Sequence, residues 1–225
     1  MSFKILYVTA TVQEAYILRR TGLITPDNGK FRTGRCEIDL LVGGVGSMST
    51  AWSMTKWISE NGKPALAING GIAGSFNNAF PVGSVVMPVT DCFADAGIED
   101  GDNFLTLHEA GLSDPGEFPF RNGMIVAENR FTEIFKEIIR PVKAITVNMA
   151  TGSVGTRAKL VNKYDPDIET MEGAAFFYIC ARECIPFISV RAISNMVERR
   201  DRKKWNIPLA IDNLAIKLDD VFKLL

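Results

Sequence analysis

Short apolar runs that end in glycine clusters constrain this chain more than any other feature. Ile38–Val42 runs into Gly43-Gly44-Val45-Gly46, and Ala65–Asn69, after Pro64, runs into Gly70-Gly71-Ile72-Ala73-Gly74. Lys4–Ala10, Val82–Val89, Lys143–Val147 and Phe187–Ile193 are further strand-like runs. Between them Val12–Thr21 and Ser49–Glu60 have helical spacing. A last helix carries Ile211, Leu214, Ala215, Leu218, Val221, Phe222 and Leu225 on one face. Strands followed by glycine turns and amphipathic helices predict an α/β sandwich around a largely parallel or mixed sheet. At 225 residues, with no repeat, low-complexity tract or linker, a single domain over residues 1–225 is expected. Asp91–Gly123 stands apart. It is rich in Asp, Glu, Gly and Pro, lacks periodicity, and reads as a long functional or mobile loop.

The charge balance narrows the partners. A net charge of -1 favours neither nucleic acid nor an anionic membrane. No apolar run approaches the roughly 20 residues needed to span a bilayer. Met1-Ser2-Phe3-Lys4-Ile5 runs straight into a strand, so no signal peptide is expected, and the chain reads as cytosolic with free thiols. Cys36, Cys92, Cys180 and Cys184 are scattered and His108 stands alone, so no metal or cofactor site is expected. Cys180 and Cys184, four apart, read as small core residues on one helical face. His108 is given no catalytic role.

Several residues carry chemistry. Glycines at strand ends let a backbone approach a ligand and aim N–H groups at it, although tight turns explain them equally well. Gly44-Val-Gly46-Ser-Met-Ser49 lacks the third glycine of the dinucleotide fingerprint, and no phosphate-loop lysine follows. Glu14 follows the first strand, where it suits either a helix start or a general base. Glu172 opens an apolar helix, and a carboxylate there must be hydrogen-bonded, solvated or ligand-bound. Arg191 lies inside a buried strand and needs a partner such as Glu14 or Glu172. Asn195 ends that strand. The basic run Arg199–Lys204 reads as a solvated face or as a cover for the crevice.

In this order, Glu14, the Gly70–Gly74 cluster, Thr151-Gly-Ser-Val-Gly155, Met171-Glu172 and Arg191-Ala-Ile-Ser-Asn195 resemble the nucleoside phosphorylase-like proteins. The resemblance covers nearly the whole chain. It is greatest to the nucleosidase branch, and within that branch to the futalosine hydrolases of menaquinone biosynthesis. It implies a three-layer α/β/α sandwich with a central mixed sheet, a homodimer or larger oligomer, and cleavage of an N-glycosidic bond without cofactor. Carried over, Glu14 deprotonates the attacking water, and Arg191 helps to hold that water or orients Glu14. Glu172 binds the ribose hydroxyls and Met171 packs on the sugar. Asn195 faces the purine edge, with Met149 and Ala150 at a base-contacting strand end. Ile72, Ala73, Gly74 and Trp205 complete the expected substrate site.

Two departures sharpen this expectation. Phosphorylases of the superfamily carry an arginine near the second glycine cluster to clamp phosphate. Here that cluster has none, and Glu14 would repel phosphate, which favours water as nucleophile. Methylthioadenosine nucleosidases carry Asp where this chain has Asn195, and that Asp protonates N7 of adenine. An amide has no such proton, but it donates an N–H to the oxygen at C6 of hypoxanthine, which itself holds leaving-group charge. A 6-oxopurine nucleoside is therefore the expected substrate, with inosine-like or methylthioadenosine-like nucleosides and phosphorolysis as alternatives. The tail of futalosine would need a cation and apolar walls; Arg199–Lys204 with Trp205, and Asp91–Gly123, are candidates.

Overall fold

The apolar runs assemble, in a computed structural model describing residues 3–21, 31–34, 36–101 and 103–225, into a mixed sheet with helices on both faces. The Met1-Ser2 start lies outside the described residues. The strands are β1 (Phe3–Thr9), β2 (Phe31–Thr33), β3 (Cys36–Val42), β4 (Leu66–Ser75), β5 (Val85–Asp91), β6 (Gly97–Asp100), β7 (Asn103–Thr106), β8 (Phe120–Arg121), β9 (Met124–Val126), β10 (Arg140–Thr146), β11 (Ile168–Thr170) and β12 (Phe187–Met196). The helices are α1 (Val12–Ala15), α2 (Ile17–Arg20), α3 (Ser47–Asn61), α4 (Arg130–Phe135), α5 (Val154–Tyr164), α6 (Gly173–Arg182) and α7 (Ile207–Lys223). The sheet runs β2-β3-β1-β4-β11-β10-β5-β9-β8, with β12 paired to both β4 and β5. The strands β4, β11, β10, β5 and β12 therefore close into a ring, filled by Ala73, Phe80, Val86, Val142, Ala144, Ile168 and Ile193.

Alternation along the strands splits the rest of the core. Ile5, Tyr7, Ile68, Ile188 and Val190 face α2, α4 and α7. Leu6, Val8, Ala67 and Phe187 face α3 and α6. The last helix buries Ala210, Leu214, Leu218 and Val221 as its spacing predicts. Burying each of the larger ones contributes about 1.5–3 kcal/mol.

Four expectations change. Gly43–Gly46 is a turn, with Gly44 and Gly46 at φ +89° and +90°. Gly70–Gly74 is not: β4 runs through it to Ser75. Its glycines serve close approach, because a Cβ on Gly70 would collide with the Tyr7 hydroxyl. Asp91–Gly123 is not structureless; it holds the β6–β7 hairpin and β8. Val12–Thr21 divides at Tyr16 into α1 and α2. Cys180 is core, but Cys184 lies beyond the end of α6 at φ +54° and is exposed.

Candidate active site

Glu14 sits at a helix start and also reaches a crevice. Its Oε2 accepts from Thr11 N (3.0 Å), Thr11 Oγ1 (2.9 Å) and Thr9 Oγ1 (3.2 Å), completing a capping box at the start of α1. Its Oε1 accepts from Ile72 N on β4 (3.1 Å). The carboxylate is thus pinned to two strands and a helix, and it lines a cavity.

Arg191 projects from β12 beside it. A Cβ on Gly71 would lie 2.7 Å from Glu14 Oε1 and closer still to Arg191 Nη1, so only glycine lets the two groups meet over β4. Arg191 Nη2 donates to Asn69 Oδ1, while Nε and Nη1 find no hydrogen-bond partner among the described residues. The side chain is fully buried and lies behind the cavity wall rather than lining it. A buried guanidinium needs nearby negative charge. Glu172 Oε2 supplies it at 4.0 Å.

Glu172 is the N-cap residue of α6, yet its side chain does not cap that helix. Thr170 Oγ1 accepts from Gly173 N (3.2 Å) and Thr146 Oγ1 accepts from Ala174 N (2.8 Å) instead. Glu172 is released toward the cavity, where Oε1 accepts from Gly46 N at the start of α3 (3.1 Å). Two helix N-termini thus favour its charge. Burial nevertheless pushes its pKa up, against the pull of Arg191 and Gly46.

Behind α6 sits Asp91, fully buried. Its Oδ1 accepts from Thr146 Oγ1 (2.9 Å) and Cys92 N (2.8 Å), and a Cβ on Gly173 would collide with its Oδ2. Burial raises its pKa from 3.8 to about 7, with Glu172 adding to the rise and Arg191 opposing it. Between these values the folded chain holds a proton that the unfolded chain has lost, so stability falls as pH rises from 4 to 7. One proton gives a slope of about 1.4 kcal/mol per pH unit. Asp91→Asn cannot titrate. Urea unfolding across pH 4–8 is expected to show the variant gaining on the wild type up to pH 7, then a constant difference. A constant difference throughout would show that Asp91 is ionised in the fold.

The cavity measures about 220 Å³. Ile72, Ala73, Gly74, Ala150, Met171, Glu172, Asn195 and Trp205 line it as expected. Met149 does not; it is 75% exposed and lines an adjoining cavity of about 290 Å³, which shares Ala150, Thr151, Asn195 and Trp205 with the first. Met149 stands outside because the chain bends at Asn148 and Met149, leaving its side chain exposed to solvent. Asn195 Nδ2 donates to Met196 O (3.1 Å) and Oδ1 accepts from Ser194 Oγ (2.8 Å). A carbonyl can only accept, so Met196 fixes which end of the amide is nitrogen. Thr11, Gln13, Val45, Glu169, Ser194 and Ile207 also line the cavity and were not named as site residues in the sequence, and Ile211, read there as core, lines it too. Only Ser194, next to Asn195, and Glu169, three before Glu172, had any signal there. Among the described residues no three His, Cys, Asp or Glu converge to hold a metal. His108 and Lys163 line a separate cavity of about 590 Å³ under the β6–β7 hairpin.

A family profile described as the phosphorylase superfamily matches residues 4–225. The chain belongs to that superfamily. A futalosine hydrolase of Streptomyces coelicolor is 33% identical over 192 residues, covering 83% of this chain and 77% of its own. A 5′-methylthioadenosine/S-adenosylhomocysteine nucleosidase of Buchnera aphidicola subsp. Schizaphis graminum is 30% identical over 219 residues, covering 92% and 86%. Both relatives are N-glycosyl hydrolases, and this chain is an enzyme of that class. In fold, it matches a crystal structure of the Helicobacter pylori 5′-methylthioadenosine/S-adenosylhomocysteine nucleosidase with a TM-score of 0.82, at 17% identity and full coverage of both chains.

Proposed function

We propose that this enzyme hydrolyses the N-glycosidic bond of futalosine, releasing hypoxanthine and dehypoxanthine futalosine for menaquinone biosynthesis. The observation that carries the reading is the amide of Asn195, held with its nitrogen assigned, at the cavity wall. Its second N–H donates to O6 of hypoxanthine as charge develops there. Glu14 takes a proton from the attacking water, while the Arg191 guanidinium, buried behind the cavity wall, helps to orient that carboxylate. Glu172 accepts from the ribose hydroxyls, Met171 packs on the sugar, and Ala150 and Trp205 flank the base. The match to a futalosine hydrolase supports the substrate. The match to a methylthioadenosine nucleosidase supports an adenine nucleoside as the second reading.

The adjoining cavity, walled by Arg199, Arg200 and Lys204, meets the first beside Asn195, at the base end. In this reading the 5′ tail leaves past Thr11, Gln13 and Val45, which line the first cavity but not the adjoining one. Val12 on α1, Tyr16 just after it, and Met48 and Trp52 on α3 are exposed, which supports a homodimer or larger oligomer that covers this face.

A panel of futalosine, inosine, adenosine and methylthioadenosine, read by base release, tests the reading. Futalosine is expected to be cleaved fastest. Equal rates for inosine and futalosine would remove the tail from the account, and preference for methylthioadenosine would overturn it. Asn195→Asp is expected to slow futalosine cleavage by about 10-fold, since an ionised carboxylate repels O6; unchanged turnover would refute the role of the amide.

A further inference from the structure

We propose that Glu169 is a second base-recognition residue, whose carboxylate accepts the ring N1–H of a 6-oxopurine while Asn195 donates to O6. The inference rests on the functional reading above. Glu169 on β11 pairs with Gly74 of β4, and Asn195 on β12 pairs with the same Gly74 from the other side. Two strand spacings put their Cα atoms roughly 9–10 Å apart. Both side chains line one cavity. Gly74 between them adds no side chain; a Cβ there would lie 2.8 Å from Val197 Cγ2 and 3.2 Å from Asn195 Nδ2. The gap that remains suits a flat heterocycle with one hydrogen-bonding group reaching in from each side.

The carboxylate is only 7% exposed and is held for this task. Oε1 accepts from Thr151 N (2.9 Å) and Oε2 accepts from Thr151 Oγ1. Each oxygen keeps a lone pair for a further donor. Burial pushes the pKa of Glu169 up while the two Thr151 donors hold it down. A third donor from a bound base would stabilise the ionised form further. The rest of the chemistry leaves Glu169 unused: Glu14 serves the water and Glu172 the ribose. Adenine carries a lone pair at N1 where hypoxanthine carries a hydrogen, so a carboxylate there repels adenine and complements the Asn195 amide. A site that hydrogen-bonds two adjacent atoms of a ring discriminates more sharply than a site that reads one.

Calorimetric titration of the enzyme with free bases tests this without relying on turnover. Wild type is expected to bind hypoxanthine about 10–100-fold tighter than 1-methylhypoxanthine, the scale of one hydrogen bond to a charged group. In Glu169→Met, whose side chain offers N1–H no oxygen, that difference is expected to disappear. Equal binding of the two bases by wild type, or a difference that survives in Glu169→Met, overturns the role of Glu169 alone. Tight binding of adenine with no binding of hypoxanthine overturns the functional reading, and the inference with it. Equal binding by wild type would overturn the role without any substitution, so a Glu169→Met variant that failed to fold leaves the inference falsifiable.

Discussion

Glu14→Gln is expected to lower turnover by ~10²-fold or more while changing KM little, the mark of a group that acts in the transition state. An amide cannot take the proton of water. The loss is expected to come from that and not from misplacement, because the capping box can re-form with the amide oxygen at the Oε2 position, facing Thr9 and Thr11. The cost of such an arrangement falls on Ile72 N, which would then face an NH₂ group instead of Oε1. Steady-state kinetics beside thermal melting separates the two effects. A variant that melts early yet turns over normally would make Glu14 a helix-start residue and nothing more.

Arg191→Met is expected to cost 3–5 kcal/mol of stability, besides abolishing activity. Methionine fills much of the space but carries no charge. It leaves Glu172 and Asp91 buried without their shared counter-ion, and Asn69 Oδ1 without its donor. The deficit has a direction with pH. In the wild type Arg191 holds the pKa of Glu172 down against burial. Without it the folded-state pKa rises further, so the folded variant gains a proton as pH falls and the deficit shrinks toward acid. Urea unfolding at two pH values reads this. A variant as stable as wild type near neutral pH would show that Glu172 and Asp91 are already neutral in the fold.

These two residues also mark how far the sequence was legible. Arg191 inside an apolar run announced a buried charge, and the position of Glu14 after the first strand announced a strand-end carboxylate. Both sit where that reasoning puts them, with Arg191 one layer deeper than expected. The alternation of strands and helices gave the α/β class. Closure of the sheet through β12 was hidden, because strand pairing depends on contacts far apart in the chain. The Gly70–Gly74 cluster was misread as a turn because glycine has two uses, and only the neighbours Tyr7, Glu14 and Arg191 tell them apart. α5 escaped because it buries only Leu160 and so leaves little periodic signal. Asp91 was invisible as a helix-backing acid because it opens a stretch where acidic residues look like surface.

The central claim is that water, activated by Glu14, attacks the sugar of a 6-oxopurine nucleoside. Hydrolysis of futalosine in ¹⁸O-labelled water, with inorganic phosphate present and the products read by mass spectrometry, tests it most directly. The expected result is unlabelled hypoxanthine, a sugar product carrying one ¹⁸O, and a rate indifferent to phosphate. A phosphorylated sugar without the label, formed at a rate that rises with phosphate, would contradict it.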